Sequence, residues 1–256
     1  MLMKRLIVCL DIRDRQVTKG VRFEGNLPVG DPVELAGRYY QEGADEMVFY
    51  DITASAEARP IDIDMVREVG RRIFIPFTVG GGIGSVADMR RALLAGADKV
   101  SVNSLAVAHP EIVAAGAREF GSQCIVLGLD ARKTPDPAFP SGYEVVVRGG
   151  RTPTGLDVVD WARRAVELGV GEICLNSIDA DGVRQGYDLV ITRRVAEAVP
   201  VPVVASGGAG NVRHLRDALV EGRADAALIA SLAHIDGNSC RRLKDELRGW
   251  GIPMRQ

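Results

Sequence analysis

Eight short apolar runs alternate with longer amphipathic segments along the chain, and this alternation constrains the fold more than any other feature. The runs span residues 5–11, 46–52, 75–81, 99–104, 124–130, 172–178, 201–208 and 224–231. Their near-continuous apolar character is typical of parallel strands covered on both faces. Helical spacing of apolar residues marks the intervening segments, for example 31–43, 86–96, 156–169 and 212–222. Eight such units in 256 residues predict an α/β fold, a closed (β/α)8 TIM barrel forming a single domain over residues 1–256.

The sequence also repeats itself. Residues 79–107 resemble residues 205–233 at a shift of 126 residues, which becomes 127 after one insertion. The same shift of 126 carries Glu46 onto Glu172. Two equivalent halves of four units each predict internal twofold half-barrel symmetry. They disfavour the alternative, a doubly wound open sheet, because such a sheet has a single switch point in its strand order.

Composition excludes several classes of function. Lys plus Arg number 32 and Asp plus Glu number 34, so the net charge of −2 disfavours a general nucleic-acid binder. No apolar run reaches the length of about 18 residues that a membrane span needs, and the N-terminus does not resemble a signal peptide. Three histidines and four widely spaced cysteines disfavour a metal site. We therefore expect a cytoplasmic protein that binds no metal, cofactor, nucleic acid or membrane.

Two glycine-rich segments, residues 80–85 and 206–211, each connect a predicted strand to a predicted helix. Glycines let the backbone approach a ligand closely, and a helix N-terminus presents free N–H groups to an anion. The next strand ends in a serine in both halves. The candidate phosphate-binding residues are Gly82, Asn103, Ser104, Gly207, Gly208 and Ser231. Two such sites predict an elongated substrate with a phosphate at each end, whereas the alternative is that the glycines only make tight turns.

Two aspartates close equivalent strands between these segments. Asp11 ends the first predicted strand and Asp130 ends the fifth, so we expect them to face each other across the barrel mouth. Burial at an apolar strand end raises the pKa of a carboxyl group towards the range of a general acid or base. The structural alternative is that each aspartate pairs with a nearby arginine, such as Arg13 or Arg132.

Two connections, residues 12–30 and 131–155, are too long for plain connectors, and both follow a strand that ends in aspartate. Long loops at this face of a barrel often carry function. Lys19 lies in the first of them and is a candidate to contact an anion or a carbonyl. The alternative for Lys19 is a solvated loop lysine.

Four further polar residues lie at or just beyond the ends of strands 2 and 6. They are Asp51, Asn176, Asp179 and Asp181, which are candidates to bind hydroxyl groups or the reacting part of a substrate. Asp181 is followed by Gly182, so it is equally compatible with ordinary turn chemistry.

Four charged residues open strands 1, 2, 4 and 6, at the opposite end of the barrel. They are Arg5, Glu46, Lys99 and Glu172. Charges at strand starts are usually solvated, but two positive and two negative groups that converge on the barrel axis form a salt-bridged ring. Arg5 and Asp11 share one strand face and lie roughly 20 Å apart at about 3.3 Å per residue. The barrel interior thus connects this charged lower mouth to the upper one.

Taken together, these features resemble the cyclase subunits of imidazole glycerol phosphate synthase, in histidine biosynthesis. The motifs that carry the resemblance are KRLIVCLDIRD, VTKGV, GDPVELA, DITAS, FIPFTVGGGI, GADKVSVNS, FGSQCIV, LNSIDADGVRQGYDL and VPVVASGGAG. They extend from about residue 4 to residue 235, almost the whole chain.

The resemblance implies a (β/α)8 barrel that uses ammonia from a glutaminase subunit docked on its N-terminal face. The implied reaction converts a bis-phosphorylated formimino-aminoimidazole-carboxamide ribonucleotide into imidazole glycerol phosphate and aminoimidazole carboxamide ribotide. By motif, Asp11 and Asp130 are the catalytic residues and Lys19 is the loop lysine. The implied phosphate contacts are Gly82, Asn103, Ser104, Gly207, Gly208 and Ser231, and the implied ammonia gate is Arg5, Glu46, Lys99 and Glu172.

Three alternatives remain open. A related isomerase of the same pathway shares the barrel, both phosphate sites and two acidic groups but needs no ammonia, and DITAS with the charged quartet argues against it. A paralogue that aminates another phosphosugar is the second. A non-catalytic scaffold that binds a glutaminase is the third, and loss of the aspartates or the glycines would have favoured it.

Overall fold

A closed ring of eight parallel strands forms the centre of the computed structural model. The structure describes residues 2–21, 24–54, 57, 59–234 and 236–256, without the side chains of 19–21 and 24–27. The strands are β1 (Arg5–Arg13), β2 (Gln16–Val21), β3 (Glu24–Gly30), β4 (Glu46–Asp51), β5 (Phe77–Gly80), β6 (Lys99–Val102), β7 (Ile125–Lys133), β8 (Tyr143–Val147), β9 (Thr152–Asp157), β10 (Glu172–Ser177), β11 (Val203–Ser206) and β12 (Ala226–Ile229). The barrel runs β1-β4-β5-β6-β7-β10-β11-β12 and closes on β1 through parallel pairs. The predicted (β/α)8 barrel is confirmed, and each predicted apolar run overlaps one barrel strand, with β1 and β7 continuing two and three residues beyond their runs.

Helices connect the barrel strands. They are α1 (Pro32–Gln41), α2 (Ile63–Gly70), α3 (Val86–Leu94), α4 (Ser104–Ala108), α5 (Glu111–Phe120), α6 (Val158–Glu167), α7 (Leu189–Ala198), α8 (Val212–Val220), α9 (Ser231–His234) and α10 (Cys240–Gly249). Seven of them begin after a residue whose side chain accepts a backbone N–H of the first turn, which fixes where the helix starts. These capping residues are Asp31, Asp62, Ser85, Asp157, Asp188, Asn211 and Ser239. Among the described residues, no helix is both long enough and apolar enough to cross a bilayer.

Both long connections fold into antiparallel hairpins on the upper face, the end at which the barrel strands finish. Strand β2 pairs with the end of β1 and with β3, and β8 pairs with the end of β7 and with β9. The residue pattern predicts long loops here, whereas the structure contains strands. Each hairpin therefore extends the strand that carries one of the two candidate catalytic aspartates.

Inside the barrel, alternate residues of the strands point towards the axis. A separate apolar cluster fills this interior and consists of Ile7, Cys9, Val48, Val126, Cys174, Val204, Ala226 and Leu228. The larger core lies outside, between the strands and the helices. The interior cluster separates the two mouths of the barrel by a layer of apolar side chains.

Elements of the two halves begin at matching intervals. Strands β4 and β10 begin at Glu46 and Glu172, and helices α3 and α8 begin at Val86 and Val212. Both intervals equal the shift of the sequence repeat. A rotation axis that relates the two half-barrels remains a prediction.

Candidate active site at the upper face

Two adjoining pockets open at the upper face, and each combines one of the two candidate catalytic aspartates with one glycine-rich loop. Asp130 and Gly82 line the first pocket, together with Asn103 and Ser104. The second pocket is lined by the residues Asp11, Asp181, Gly207, Gly208 and Ser231. Both pockets are also lined by Tyr50, Asn176 and Ser206. Apart from Lys19 and Asp179, the residues that the sequence predicts for the upper face thus line one or both of two pockets that share three lining residues.

Asp130 lies among amide donors. The Nδ2 group of Asn103 donates to Oδ2 of Asp130 over 2.8 Å, and Nδ2 of Asn176 donates to Oδ1 over 3.3 Å. The pKa of Asp130 is raised to about 7: burial is the largest cause, the nearby Asp181 also raises it, and the hydrogen bonds from the two amides partly oppose the increase. At neutral pH this carboxyl group therefore populates both its protonated and its ionised form.

Asp11 stands on β1 beside the second pocket. The thiol of Cys9 donates to its Oδ1 over 3.4 Å. The arginines that the structural alternative assigned to the two aspartates have other contacts: Arg13 lies 3.5 Å from Asp14, and Arg132 donates to the carbonyl oxygen of Gly150.

The glycine-rich loops require glycine for two reasons. Gly82, Gly207 and Gly208 have φ values of 70°, 86° and 107°, in the left-handed region that other residues rarely adopt. A Cβ atom on Gly82 would lie 2.7 Å from the nitrogen of Ile61, and one on Gly208 would lie 2.0 Å from the oxygen of Gly186. The tight-turn interpretation therefore explains the glycines on its own, and phosphate binding by these loops remains a proposal.

A serine follows the barrel strand beside each loop. Ser104 begins α4, and its hydroxyl accepts the backbone N–H of Arg148 over 3.0 Å, which ties the β8–β9 turn to the first pocket. Ser231 begins α9 and is buried beside the second pocket.

The carboxylate of Asp51 makes hydrogen bonds within the loop that follows β4. Its carboxylate receives both Nη groups of Arg59, over 2.6 and 2.9 Å, and also the backbone N–H of Ala54 over 3.0 Å. Its side chain is only 4% exposed. Asp51 therefore organises the loop after β4, and these contacts compete with its predicted role in binding substrate hydroxyl groups.

Asn176 and Asp181 lie on β10 and the loop that follows it. Asn176 connects the two pockets, because its Nδ2 contacts Asp130 while its Oδ1 accepts the hydroxyl of Ser206 over 3.2 Å. The backbone N–H of Asp181 bonds to the oxygen of Ser177 over 3.0 Å, so the predicted turn is present and its side chain also borders the second pocket.

Lys19 lies in β2, where its backbone pairs with Leu27 of β3. Its side chain falls outside the described part of the structure, so its predicted contact with an anion or a carbonyl remains a prediction.

At the lower mouth, the four predicted charged residues form a closed ring of ion pairs. Nη1 of Arg5 lies 2.8 Å from Glu46 and 2.7 Å from Glu172. The Nζ atom of Lys99 lies 3.0 Å from Glu46 and 2.7 Å from Glu172. Burial raises the pKa of Glu46, but Arg5 and Lys99 outweigh it and leave that pKa below its ordinary value.

Sequence reasoning missed Tyr50. Its hydroxyl lies 3.1 Å from that of Ser101 inside the barrel, and burial raises its pKa well above the ordinary value. A Cβ atom on Gly80 would lie 2.6 Å from the Tyr50 ring, so a strand glycine makes room for it. The signal was available, because Tyr50 lies four residues after Glu46 and therefore points to the same side of the strand.

A family model described as "Histidine biosynthesis protein" matches residues 5–237. The chain belongs to this family. Curated members include the imidazole glycerol phosphate synthase subunits HisF of Desulfosudis oleivorans and of Syntrophobacter fumaroxidans, each 58% identical to this chain over 100% of its length and 99% of the relative. The corresponding subunit of Solidesulfovibrio magneticus is 56% identical over the same shares. The resemblance stated from the sequence motifs is confirmed.

The upper face of this family member carries carboxylates, amides and hydroxyl groups. Among the described residues, no group of three or more His, Cys, Asp or Glu side chains is arranged to hold a metal ion. Carboxyl, amide and hydroxyl groups can transfer protons and form hydrogen bonds with a ligand.

Proposed function

We propose that the chain is the cyclase subunit of imidazole glycerol phosphate synthase. It uses ammonia to convert the bis-phosphorylated formimino-aminoimidazole-carboxamide ribonucleotide into imidazole glycerol phosphate and aminoimidazole carboxamide ribotide. The observation that carries this proposal is the pairing of each aspartate with one glycine-rich loop, Asp130 with Gly82 and Asp11 with Gly208. The full-length similarity to HisF subunits supports it.

Substrate binding is the first task of the upper face. One phosphate binds at Gly82, Asn103 and Ser104, and the other binds at the second pocket, among Gly207, Gly208 and Ser231. Anchoring at both ends holds the reacting centre between the two pockets and removes much of the orientational entropy of the reaction. Asn176 borders both pockets, so it lies where the middle of such a substrate passes.

Proton transfer is the second task. Ammonia adds to the ribulosyl carbonyl, and loss of water gives an imine. A proton shift converts the imine into an enamine, whose nitrogen bonds to the formimino carbon and closes the ring. The bond from that carbon to the aminoimidazole nitrogen then breaks, and this nitrogen takes up a proton and leaves as the amine of aminoimidazole carboxamide ribotide. A carboxyl group with a pKa near 7 gives and takes protons at neutral pH, so we assign these transfers to Asp130. Asp11 supplies the second carboxyl group on the opposite side of the substrate.

The lower mouth receives the ammonia in this proposal. A glutaminase subunit docks on the N-terminal face, around the ring of Arg5, Glu46, Lys99 and Glu172, and ammonia passes the ring into the barrel interior. Support comes from the position of the ring at the opposite end from the two pockets, and from the word "subunit" in the names of the relatives. The cytoplasm remains the expected location.

The direct test compares Asp11→Asn and Asp130→Asn with the wild-type chain in turnover driven by ammonium salt. Both variants are expected to lose activity by at least about 100-fold, because positioned acid–base groups contribute factors of that order. Near wild-type rates in both folded variants would contradict the assignment. Omitting ammonia separates the proposal from the isomerase, since an isomerase turns over without it.

A further inference from the structure

The second pocket contains two carboxylates and, among its described lining residues, one guanidinium group. Asp11 and Asp181 border it beside Gly208, and Arg184 borders it from the loop between β10 and α7. A phosphate monoester carries roughly 1.5 to 2 negative charges at neutral pH. A cation in the same pocket favours binding of such an anion, and Arg184 is a cation among the described lining residues.

The backbone of Arg184 is fixed against the glycine-rich loop. The N–H of Gly186 donates to the oxygen of Gly208 over 2.8 Å. A Cβ atom on Gly210 would lie 2.1 Å from the oxygen of Arg184, so the two loops touch directly. Arg184 itself has a φ of 64°, a conformation that residues other than glycine adopt infrequently. This contact keeps the start of the arginine side chain at the edge of the pocket.

The guanidinium group is paired at its far end with Asp236, which follows α9 and therefore lies close in the chain to Ser231. The side chains of Arg184 and Asp236 are 37% and 27% exposed, so neither is locked in the interior. A partly exposed ion pair contributes little to stability. A phosphate is thus able to take the place of the Asp236 carboxylate without a large energetic loss.

We propose that Arg184 is a phosphate-binding residue of the second pocket, held by Asp236 until the phosphate group of the substrate replaces that carboxylate. The planar fork of a guanidinium group matches two phosphate oxygens, and such charge-assisted bonds are among the strongest that side chains make. The inference rests on the proposed function, which supplies the doubly phosphorylated substrate. It adds a side-chain cation to a site that otherwise offers backbone and hydroxyl groups.

Two matched variants separate binding from structure. Arg184→Gln and Asp236→Asn break the same ion pair, but only the first removes the cation. With ammonium salt as nitrogen source, Arg184→Gln is expected to raise the KM for the bis-phosphate substrate by about 10- to 100-fold, with a smaller change in kcat. Asp236→Asn is expected to leave KM unchanged or lower it, and Arg184→Lys is expected to restore part of the affinity. Equal KM increases in Arg184→Gln and Asp236→Asn would show that the pair only connects two loops, and would overturn the proposal.

A second measurement does not depend on turnover. Inorganic phosphate is titrated into the folded chain, and the amide signals of Gly207 and Gly208 are followed by NMR. Arg184→Gln is expected to weaken this binding at least tenfold, whereas Asp236→Asn retains it. Equal binding in the wild type and Arg184→Gln, or no response of these amides in the wild type, would overturn the role of Arg184. Absence of ammonia-dependent turnover in the wild type would instead count against the proposed function, and the titration would still test Arg184.

Discussion

The two mouths of the barrel shift the pKa of a carboxyl group in opposite directions. Glu46 at the lower mouth contacts Arg5 and Lys99, and its pKa is lowered. Asp130 at the upper mouth contacts two amides, and its pKa is raised to about 7. Burial raises the pKa in both places, so the direction of the shift depends on whether a cation is in contact.

This difference in pKa suits the two ends of the barrel to different roles. At the lower mouth, Arg5 and Lys99 lower the pKa of Glu46, so this carboxyl group stays ionised over the physiological pH range, and four ion pairs join the side chains of the ring. Among the described residues, no cation contacts the carboxyl group of Asp130 at the upper mouth, and its pKa of about 7 suits the proton transfer that we propose for it.

Removing a cation from the lower ring is expected to have the largest effect. Lys99→Met leaves the buried Glu46 and Glu172 with Arg5 as their remaining partner in the ring, and loss of one partner of a buried ion pair costs about 3 kcal/mol. Chemical denaturation would show this loss in the free energy of unfolding. The matched control, Lys133→Met, changes the same residue type at an exposed position and should change stability little. Equal stability of Lys99→Met and the control would show that the ring contributes nothing.

The second prediction concerns stability and pH at the upper mouth. The pKa of Asp130 is raised from 3.8 to about 7, so between these values the folded chain holds a proton that the unfolded chain has released. Its contribution is therefore present at low pH and is lost as the pH rises through 7. Relative to the wild type, Asp130→Asn is expected to gain roughly 2 kcal/mol of stability between pH 4 and pH 8, after allowance for partial exposure.

The same experiment needs an exposed aspartate as its control. Asp160, whose side chain is 68% exposed, offers one. Asp160→Asn, measured in parallel, gives the change in stability with pH that follows from removing an exposed carboxyl group, and the change in Asp130→Asn is compared with it. A pH-independent difference between Asp130→Asn and the wild type would contradict a raised pKa at Asp130.

The smallest expected effect comes from the amides. Asn103 donates to Asp130 over 2.8 Å and lowers its pKa, so its removal raises that pKa. In Asn103→Ala, the midpoint of the pH–rate profile of ammonia-driven turnover is expected to move upwards by less than about one unit, consistent with the loss of one hydrogen bond to a charged group. A midpoint that moves downwards would show that the amide does not stabilise the ionised form.

Residue patterns predicted much of this architecture. Continuous apolar runs gave all eight barrel strands, and the two-residue period of a strand placed Arg5 and Asp11 on one face. The ring at the lower mouth was predictable because four charged residues lie at the starts of strands that surround one axis. These features depend on local periodicity, which a sequence displays directly.

Other features depend on contacts between distant segments. Arg59 lies in an irregular loop and donates to the carboxylate of Asp51. Such a loop has no sequence periodicity, so the pattern of residues did not predict this ion pair. The hairpin strand β3, EGNLPVG, contains proline and two glycines, which obscure a strand pattern. The contacts of Asp130 with Asn103 and Asn176 depend on the register between neighbouring strands, which the sequence does not display. The pKa of Asp130 depends on these contacts and was therefore not predictable either.

The most direct test of the contrast between the two mouths is a carboxyl-carbon NMR titration of the wild-type chain that resolves Asp130 and Glu46. We expect Asp130 to titrate near pH 7 and Glu46 to titrate at a pH below its ordinary pKa of 4.5. Titration of Asp130 near the ordinary aspartate value of 3.8 would contradict the account.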